Sequence, residues 1–320
     1  METRTLGRSS LAVSVVGLGC NNLGRPGTFT FDQEGTDAVI HAALDAGVTL
    51  FDTADVYGAE YGLSETRLGA ALKGRRDEAI VATKFGHASM ASPLSDVGPK
   101  GGRAYIRAAI EGSLSRLGIE TIDLYQFHTP DPETPIEETL AALDELVREG
   151  KVREIGNSNF DGARLAAADA AAAALGTARF ISVQNEYSLL ERAAEAEVLP
   201  TAERLGLGFL PYFPLANGLF TGKFSRTEVP ADSRIGRQRP HIAENAPWDA
   251  IEALAALGAA NGTDLLGATF GWLLAHPALS SVIAGATRPE QIRANAIAGN
   301  AWRPTAEQVA EIDALFPIDG

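Results

Sequence analysis

Apolar and polar residues along the chain follow two periods in turn. Short apolar runs, each cut off by a polar residue, fall at about 15–19, 47–51, 80–84, 122–128, 152–156, 180–186, 208–212 and 281–284. Between them, apolar residues recur at helical spacing. After Thr36, for example, Ala38, Val39, Ala42, Ala43 and Ala46 share one side, and Gly47 is the stop. Further helices are predicted at 64–73, 103–117, 135–149 with Pro135 in its first turn, 161–175, 193–205, 248–260, 264–275, 289–298 and 305–315. The Ala-rich stretch 161–175 is a helix of high intrinsic propensity and not a linker.

Strand and helix thus alternate about eight times, the pattern of a single (β/α)8 TIM barrel, and no linker divides residues 1–320 into two domains. A Gly-centred turn at Gly7 between short extended pieces predicts an N-terminal β-hairpin that plugs some part of the fold. Two segments, 86–102 and 213–247, are rich in turn formers and predict long loops over the C-terminal face. Gly17-x-Gly19 resembles a dinucleotide fingerprint only superficially, because Asn22 stands where the third glycine belongs and no helix starts there.

Composition narrows the function. The formal net charge of −14 excludes a nucleic-acid backbone and an anionic membrane as partners, so any anionic ligand must be held by local features. Cys20 is the single cysteine and is expected to be a small buried residue. The polar N-terminus lacks a signal-peptide core and no run approaches a membrane span, so a cytoplasmic protein is expected.

Strand ends carry the chemistry in such a barrel, and here they present Asn21, Asp52, Lys84, His128, Asn157 to Asn159, Gln184, Tyr212 and Gly285. Tyr57 follows Asp52 closely. A phenol beside an ammonium held by a carboxylate, with an imidazole on the same incoming oxygen, makes a general acid suited to a developing alkoxide. The ammonium is expected to lower the phenol's pKa and Asp52 to temper that effect. Carbonyl reduction needs a hydride that no side chain supplies, hence a nicotinamide cofactor. Ser158, Asn159 and Gln184 could meet its carboxamide, Tyr212 its ring, and the helix start after Gly285, with Thr287, Arg288 and Gln291, its phosphates.

These residues stand in motifs that resemble the aldo-keto reductase family. The matching stretches are Phe51-Asp52-Thr53-Ala54-Asp55-Val56-Tyr57-Gly58, Thr83-Lys84, Asp123-Leu124-Tyr125-Gln126-Phe127-His128, Gly150 to Phe160 and Thr221-Gly222-Lys223, in family order over essentially the whole chain. The resemblance implies a reductase of aldehydes or ketones with Tyr57 as proton donor and Asp52, Lys84 and His128 completing a tetrad. It also implies that the N-terminal hairpin closes the bottom of the barrel. It implies cofactor contacts at Ser158, Asn159, Gln184, Tyr212, Pro214, Leu215, Lys223, Gly285, Thr287, Arg288, Gln291 and Asn295. NADPH is the expected cofactor, with NADH as the alternative. Where much of the family has Lys-Ser and a later Arg for the 2′-phosphate, this chain has Gly285-Ala286 and Gln291, with Arg288 as substitute; Phe213 replaces a usual serine.

Two other classes share these features. A cofactor-binding partner protein, resembling channel β-subunits, would keep the fold without turnover, and Lys84 could form a Schiff base in an aldolase. No metal site is expected, since Asp52, Asp55, His128 and Asp131 lack ligand spacing. Asp55 is expected to be structural, and the loop residues His87 and His241 either stand in solvent, the first expectation, or line the substrate mouth.

Overall fold

A computed structural model describes residues 1–231 and 233–318, so Asp232 of the second long loop and the terminal Asp319 and Gly320 lie outside the described residues. The chain opens with β1 (Thr3–Thr5) and β2 (Ala12–Ser14), an antiparallel pair. It then alternates through β3 (Val16–Gly19), α1 (Gln33–Asp45), β4 (Leu50–Asp52), α2 (Leu63–Ala71), β5 (Ile80–Phe85), α3 (Arg103–Leu117), β6 (Ile122–Phe127) and α4 (Ile136–Arg148). The second half runs β7 (Val152–Ser158), α5 (Gly162–Leu175), β8 (Ser182–Gln184), α6 (Val198–Leu205), β9 (Gly208–Phe209), α7 (Arg234–Gln238), α8 (Pro240–Glu244), α9 (Trp248–Ala260), α10 (Leu265–Ala275), β10 (Val282–Gly285), α11 (Pro289–Ala301) and α12 (Ala306–Leu315).

Eight strands pair in parallel in the order β10-β3-β4-β5-β6-β7-β8-β9. The ends of that sheet meet. Phe209 N donates to Ala278 O at 2.7 Å, Ser280 N to Phe209 O at 3.1 Å and Ile283 N to Pro211 O at 3.2 Å, which closes the (β/α)8 barrel. Helix starts are written into the sequence: the carboxylates of Asp32, Asp161 and Asp264 each accept a backbone N–H of the first turn of α1, α5 and α10.

Strand alternation divides the core. Phe51, Val81, Phe85, Tyr125 and Phe127 face outward into the layer shared with the helices, whereas Leu50, Ala82 and Leu124 face inward and form the barrel floor with Leu6, Leu11 and Val13 of the hairpin. Two residues along the same inward face from Leu50, Ala82 and Leu124 come Asp52, Lys84 and Gln126. The floor is therefore apolar and the level above it polar.

Several boundaries differ from the sequence expectation. α1 begins at Gln33, ahead of Thr36, because Asp32 supplies the cap. The strands expected at 180–186 and 208–212 shrink to Ser182–Gln184 and Gly208–Phe209, since Pro211 has no N–H for the ladder. Tyr212 still reaches the rim, its N–H donating to Asn185 O at 3.0 Å. The helix expected at 193–205 splits into a 3-10 turn, Ala193–Glu195, and α6, because Pro200 is tolerated only in a first turn. The loop expected at 213–247 contains the 3-10 segment Ala216–Thr221, α7 and α8, pieces too short to show a period, anchored by buried Leu219, Phe220, Ile235 and Ala243.

Gly7 tests the plug. Its φ is +55°, and a Cβ there would lie 2.1 Å from Ile181 O and 2.7 Å from Gly208 N, both backbone atoms. Gly7→Ala is expected to destabilise the protein by about 2 kcal/mol or more, read as a lowered midpoint of urea unfolding; an unchanged midpoint would mean that the hairpin is not seated on the barrel floor.

Candidate active site

The site grows from one buried ion pair. Lys84 Nζ lies 2.5 Å from Asp52 Oδ2, with the two side chains only 1% and 4% exposed. Taking these charges from water is costly, so every remaining donor and acceptor must be satisfied. Lys84 Nζ also donates to Thr53 O at 2.9 Å, while the amide nitrogens of Gln126 and Gln184 each donate to Asp52 Oδ1 at 3.0 Å. Gln184 further donates to Gln126 Oε1 at 3.1 Å. Burial opposes the charge on Lys84, yet Asp52 and Tyr57 outweigh it and raise its pKa. The amine is thus held as ammonium, which argues against the Schiff-base role, for which a neutral amine is needed.

Tyr57 and His128 stand above this pair. The ammonium is 5.0 Å from the Tyr57 ring centroid, and the Tyr57 and His128 rings meet edge to face at 5.8 Å. The phenol's pKa is raised, against the expectation from sequence: burial dominates, and the lowering by Lys84 is smaller. His128 is driven well below the ordinary imidazole pKa by burial and then by Lys84, so it is neutral. Its Nδ1 has no hydrogen-bond partner among the described residues.

The residues expected to meet a cofactor gather on the adjoining rim. Ser158 Oγ donates to Gln184 O at 2.7 Å, and Asn159 Nδ2 donates to His128 O at 2.9 Å. The Tyr212 hydroxyl donates to Asn159 Oδ1 at 2.9 Å, which fixes the ring at the mouth. Gln184 turns its nitrogen toward Asp52 and Gln126, as described. Asn159, Phe213, Ala216 and Asn217 all have positive φ, between 45° and 62°. Left-handed backbone at four non-glycine residues along one rim is stored strain of the kind found at ligand sites. Pro214 and Leu215 are buried in this strained segment, and Lys223 Nζ lies 5.1 Å from the Phe224 ring centroid.

Across the β9–β10 junction, Gly285 and Arg288 are exposed at the start of α11. Gln291 Oε1 accepts from Thr287 N at 2.8 Å and Arg288 N at 3.2 Å, so Gln291 caps the helix and Arg288 is left lying over the Phe29 ring at 5.5 Å. Asn295 is buried one turn further along. Among the described residues no group of three or more His, Cys, Asp or Glu is placed to hold a metal ion, and no helix is long and apolar enough to cross a membrane.

Three features escaped the sequence reading. Gln126 sits on the inward face two residues before His128, and strand period alone could have found it. His87, expected either in solvent or at the substrate mouth, is half-buried against His128 with ring centroids 4.5 Å apart, a contact its loop position did not reveal. Behind Tyr57, Asp55 is fully buried; its Oδ2 accepts from Tyr61 at 2.8 Å and its Oδ1 has no partner among the described residues. Burial, then the charge of Glu65, push the Asp55 carboxyl up to about 7, with Tyr61, Arg116 and Lys100 pulling partly back.

Comparison with known proteins makes this barrel an oxidoreductase. The sequence model of the aldo/keto reductase family matches residues 15–316. The uncharacterized oxidoreductase YrpG of Bacillus subtilis (strain 168) is 37% identical over 304 residues, covering 92% of this chain and 89% of the relative. Probable aldo-keto reductase 1 of Glycine max is 36% identical over 319 residues, with 98% and 88% covered. L-glyceraldehyde 3-phosphate reductase of Escherichia coli (strain K12) is 31% identical over 337 residues, with 98% and 92% covered. The chain belongs to the aldo/keto reductase family, whose members reduce carbonyl compounds with nicotinamide cofactors.

Two stability predictions follow from the buried charges. Lys84→Met strands the Asp52 carboxylate and is expected to cost about 3 kcal/mol or more, while adding Asp52→Asn recovers much of it; urea unfolding of the single and double variants measures this. Asp55 has a higher pKa folded than unfolded, so the folded state keeps a proton that the unfolded chain has lost, and stability falls as pH rises from about 4 to about 7. Asp55→Asn should flatten that fall, by about 1.4 kcal/mol per unit of pKa difference, in melts compared at pH 5 and pH 8.

Proposed function

We propose that the site carries out NADPH-dependent, reversible reduction of an aldehyde or ketone to the alcohol, with Tyr57 as proton donor. The observation that carries this reading is one constellation: a half-buried tyrosine beside an ammonium locked to a carboxylate, facing a neutral imidazole. When bound, a reduced nicotinamide supplies the hydride. Tyr57, protonated at neutral pH because burial raises its pKa, gives its proton to the carbonyl oxygen. Lys84 stabilises the phenolate left behind, and Asp52 holds Lys84 in place. Neutral His128 orients and polarises the same oxygen. In the reverse direction Tyr57 returns as base.

The rim fits such a cofactor. Ser158, Asn159 and Gln184 offer amide and hydroxyl groups to the carboxamide, and the Tyr212 ring, fixed through its hydroxyl, offers a face to the nicotinamide. Pro214 and Leu215 lie within the strained segment and Lys223 follows it, while Gly285, Thr287, Arg288 and Gln291 gather at the α11 start, with Asn295 one turn on, where backbone N–H groups and a guanidinium favour phosphate. Exposed Arg288 supports NADPH over NADH. The name of the Escherichia coli relative supports a short aldehyde as substrate.

Parallel titration with NADPH and NADH, followed by turnover of an aldehyde panel, tests the reading. Tyr57→Phe is expected to lower kcat about a hundredfold or more while the Kd for NADPH changes less than about threefold, as expected if one polar atom outside the cofactor's contacts is lost; retained turnover would sink the proton-donor role.

A further inference from the structure

The loop after β5 brings a second imidazole to the tetrad. Gly86, at φ +76°, turns the chain so that His87 stands edge to face on His128, with ring centroids 4.5 Å apart and planes at 89°. That separation is direct contact, so no other side chain can lie between the rings. His87 Nδ1 accepts two backbone N–H groups, from Ser89 at 3.3 Å and Met90 at 3.2 Å. Nδ1 is thereby committed as an acceptor, and in the neutral ring the proton resides on Nε2. Nε2 makes no hydrogen bond among the described residues.

The loop is held from both sides. Ala88 N donates to Thr129 Oγ1 at 2.8 Å, and Thr129 Oγ1 donates to Gly86 O at 3.0 Å, which ties the loop to the residue after His128. Lys100 Nζ donates to His87 O, to Ala88 O at 3.1 Å and to Met90 O at 3.3 Å. Lys100 also adds to burial in keeping His87 neutral, as does Lys84. The outcome is a preorganised N–H donor beside the imidazole that meets the carbonyl oxygen, with no structural use for its proton.

We propose, resting on the reductase reading above, that His87 is a specificity-determining residue whose Nε2–H donates to an oxygen on the carbon next to the substrate carbonyl. Contacting donors serve neighbouring atoms of one small ligand, and two oxygens on adjacent carbons are about one hydrogen-bond length apart. The favoured class is carbonyl compounds bearing a vicinal oxygen. A preformed donor rejects the analogue lacking that oxygen, because its N–H is then left unpaired.

The test compares propanal with 2-hydroxypropanal, in wild type and in His87→Phe, which keeps the ring and removes the donor. Wild type is expected to favour 2-hydroxypropanal in kcat/KM, and His87→Phe to lose about tenfold on that substrate while propanal changes less than about twofold; His87→Gln, which retains an N–H, restores part of the preference. Should the Phe variant fail to fold, His87→Leu provides the same comparison. Equal losses on both aldehydes would reduce His87 to a support for His128, and an unchanged ratio or a wild type without preference would also overturn the proposal. If wild type turns over neither aldehyde, the reductase reading fails and takes this one with it; turnover of propanal without any His87-dependent preference overturns only the specificity role.

Discussion

Burying a lysine and an aspartate at the centre of a barrel is the constraint on which the rest depends. Neither charge is tolerable alone in that interior, and their mutual attraction suffices only with full hydrogen bonding. Asp52 from β4 therefore binds Lys84 from β5, Gln126 from β6 and Gln184 from β8. One carboxylate thus links four strand ends, and their relative heights follow from it. The same ion pair sets the electrostatics felt by Tyr57 and His128, keeping an ammonium under the phenol and discouraging charge on the imidazole.

Strand alternation makes that arrangement possible. Because inward positions repeat every second residue, Leu50, Ala82 and Leu124 seal the floor against the hairpin while the next inward positions bear Asp52, Lys84 and Gln126. A one-residue slip in any strand would send a charge into the helix layer and an apolar residue into the site. The hairpin contributes by covering the floor: without Leu6, Leu11 and Val13 the apolar level under the ion pair would face water.

The rim obeys different rules. There the backbone holds left-handed residues at Asn159, Phe213, Ala216 and Asn217, and the strain is offset by local bonds, such as Asn185 Oδ1 accepting from Asn159 N at 3.1 Å. Rigid strands position the reacting groups and strained loops shape what may approach them. Asp55 and Glu65, both fully buried behind Tyr57, add a second polar layer in which Thr83 Oγ1 donates to Glu65 at 2.5 Å and Arg116 Nε at 2.7 Å.

By itself the sequence determined the alternating elements, the barrel, the hairpin and the strand-end residues Asp52, Lys84 and His128, because periodicity and strand termini are local properties that burial then enforces. Tyr57 was legible from its motif. Tertiary structure alone decided what each group experiences: the raised pKa of Tyr57 comes from burial by elements distant in sequence, Gln184 reaches Asp52 across 132 residues, and His87 meets His128 only because Thr129 and Lys100 fold its loop inward. The short helices at 234–244 and the break before Pro200 also escaped, since a turn or two of helix leaves no period to detect. Local pattern specifies elements and their faces, whereas desolvation and hydrogen-bond pairing across the barrel exist only once the chain has closed.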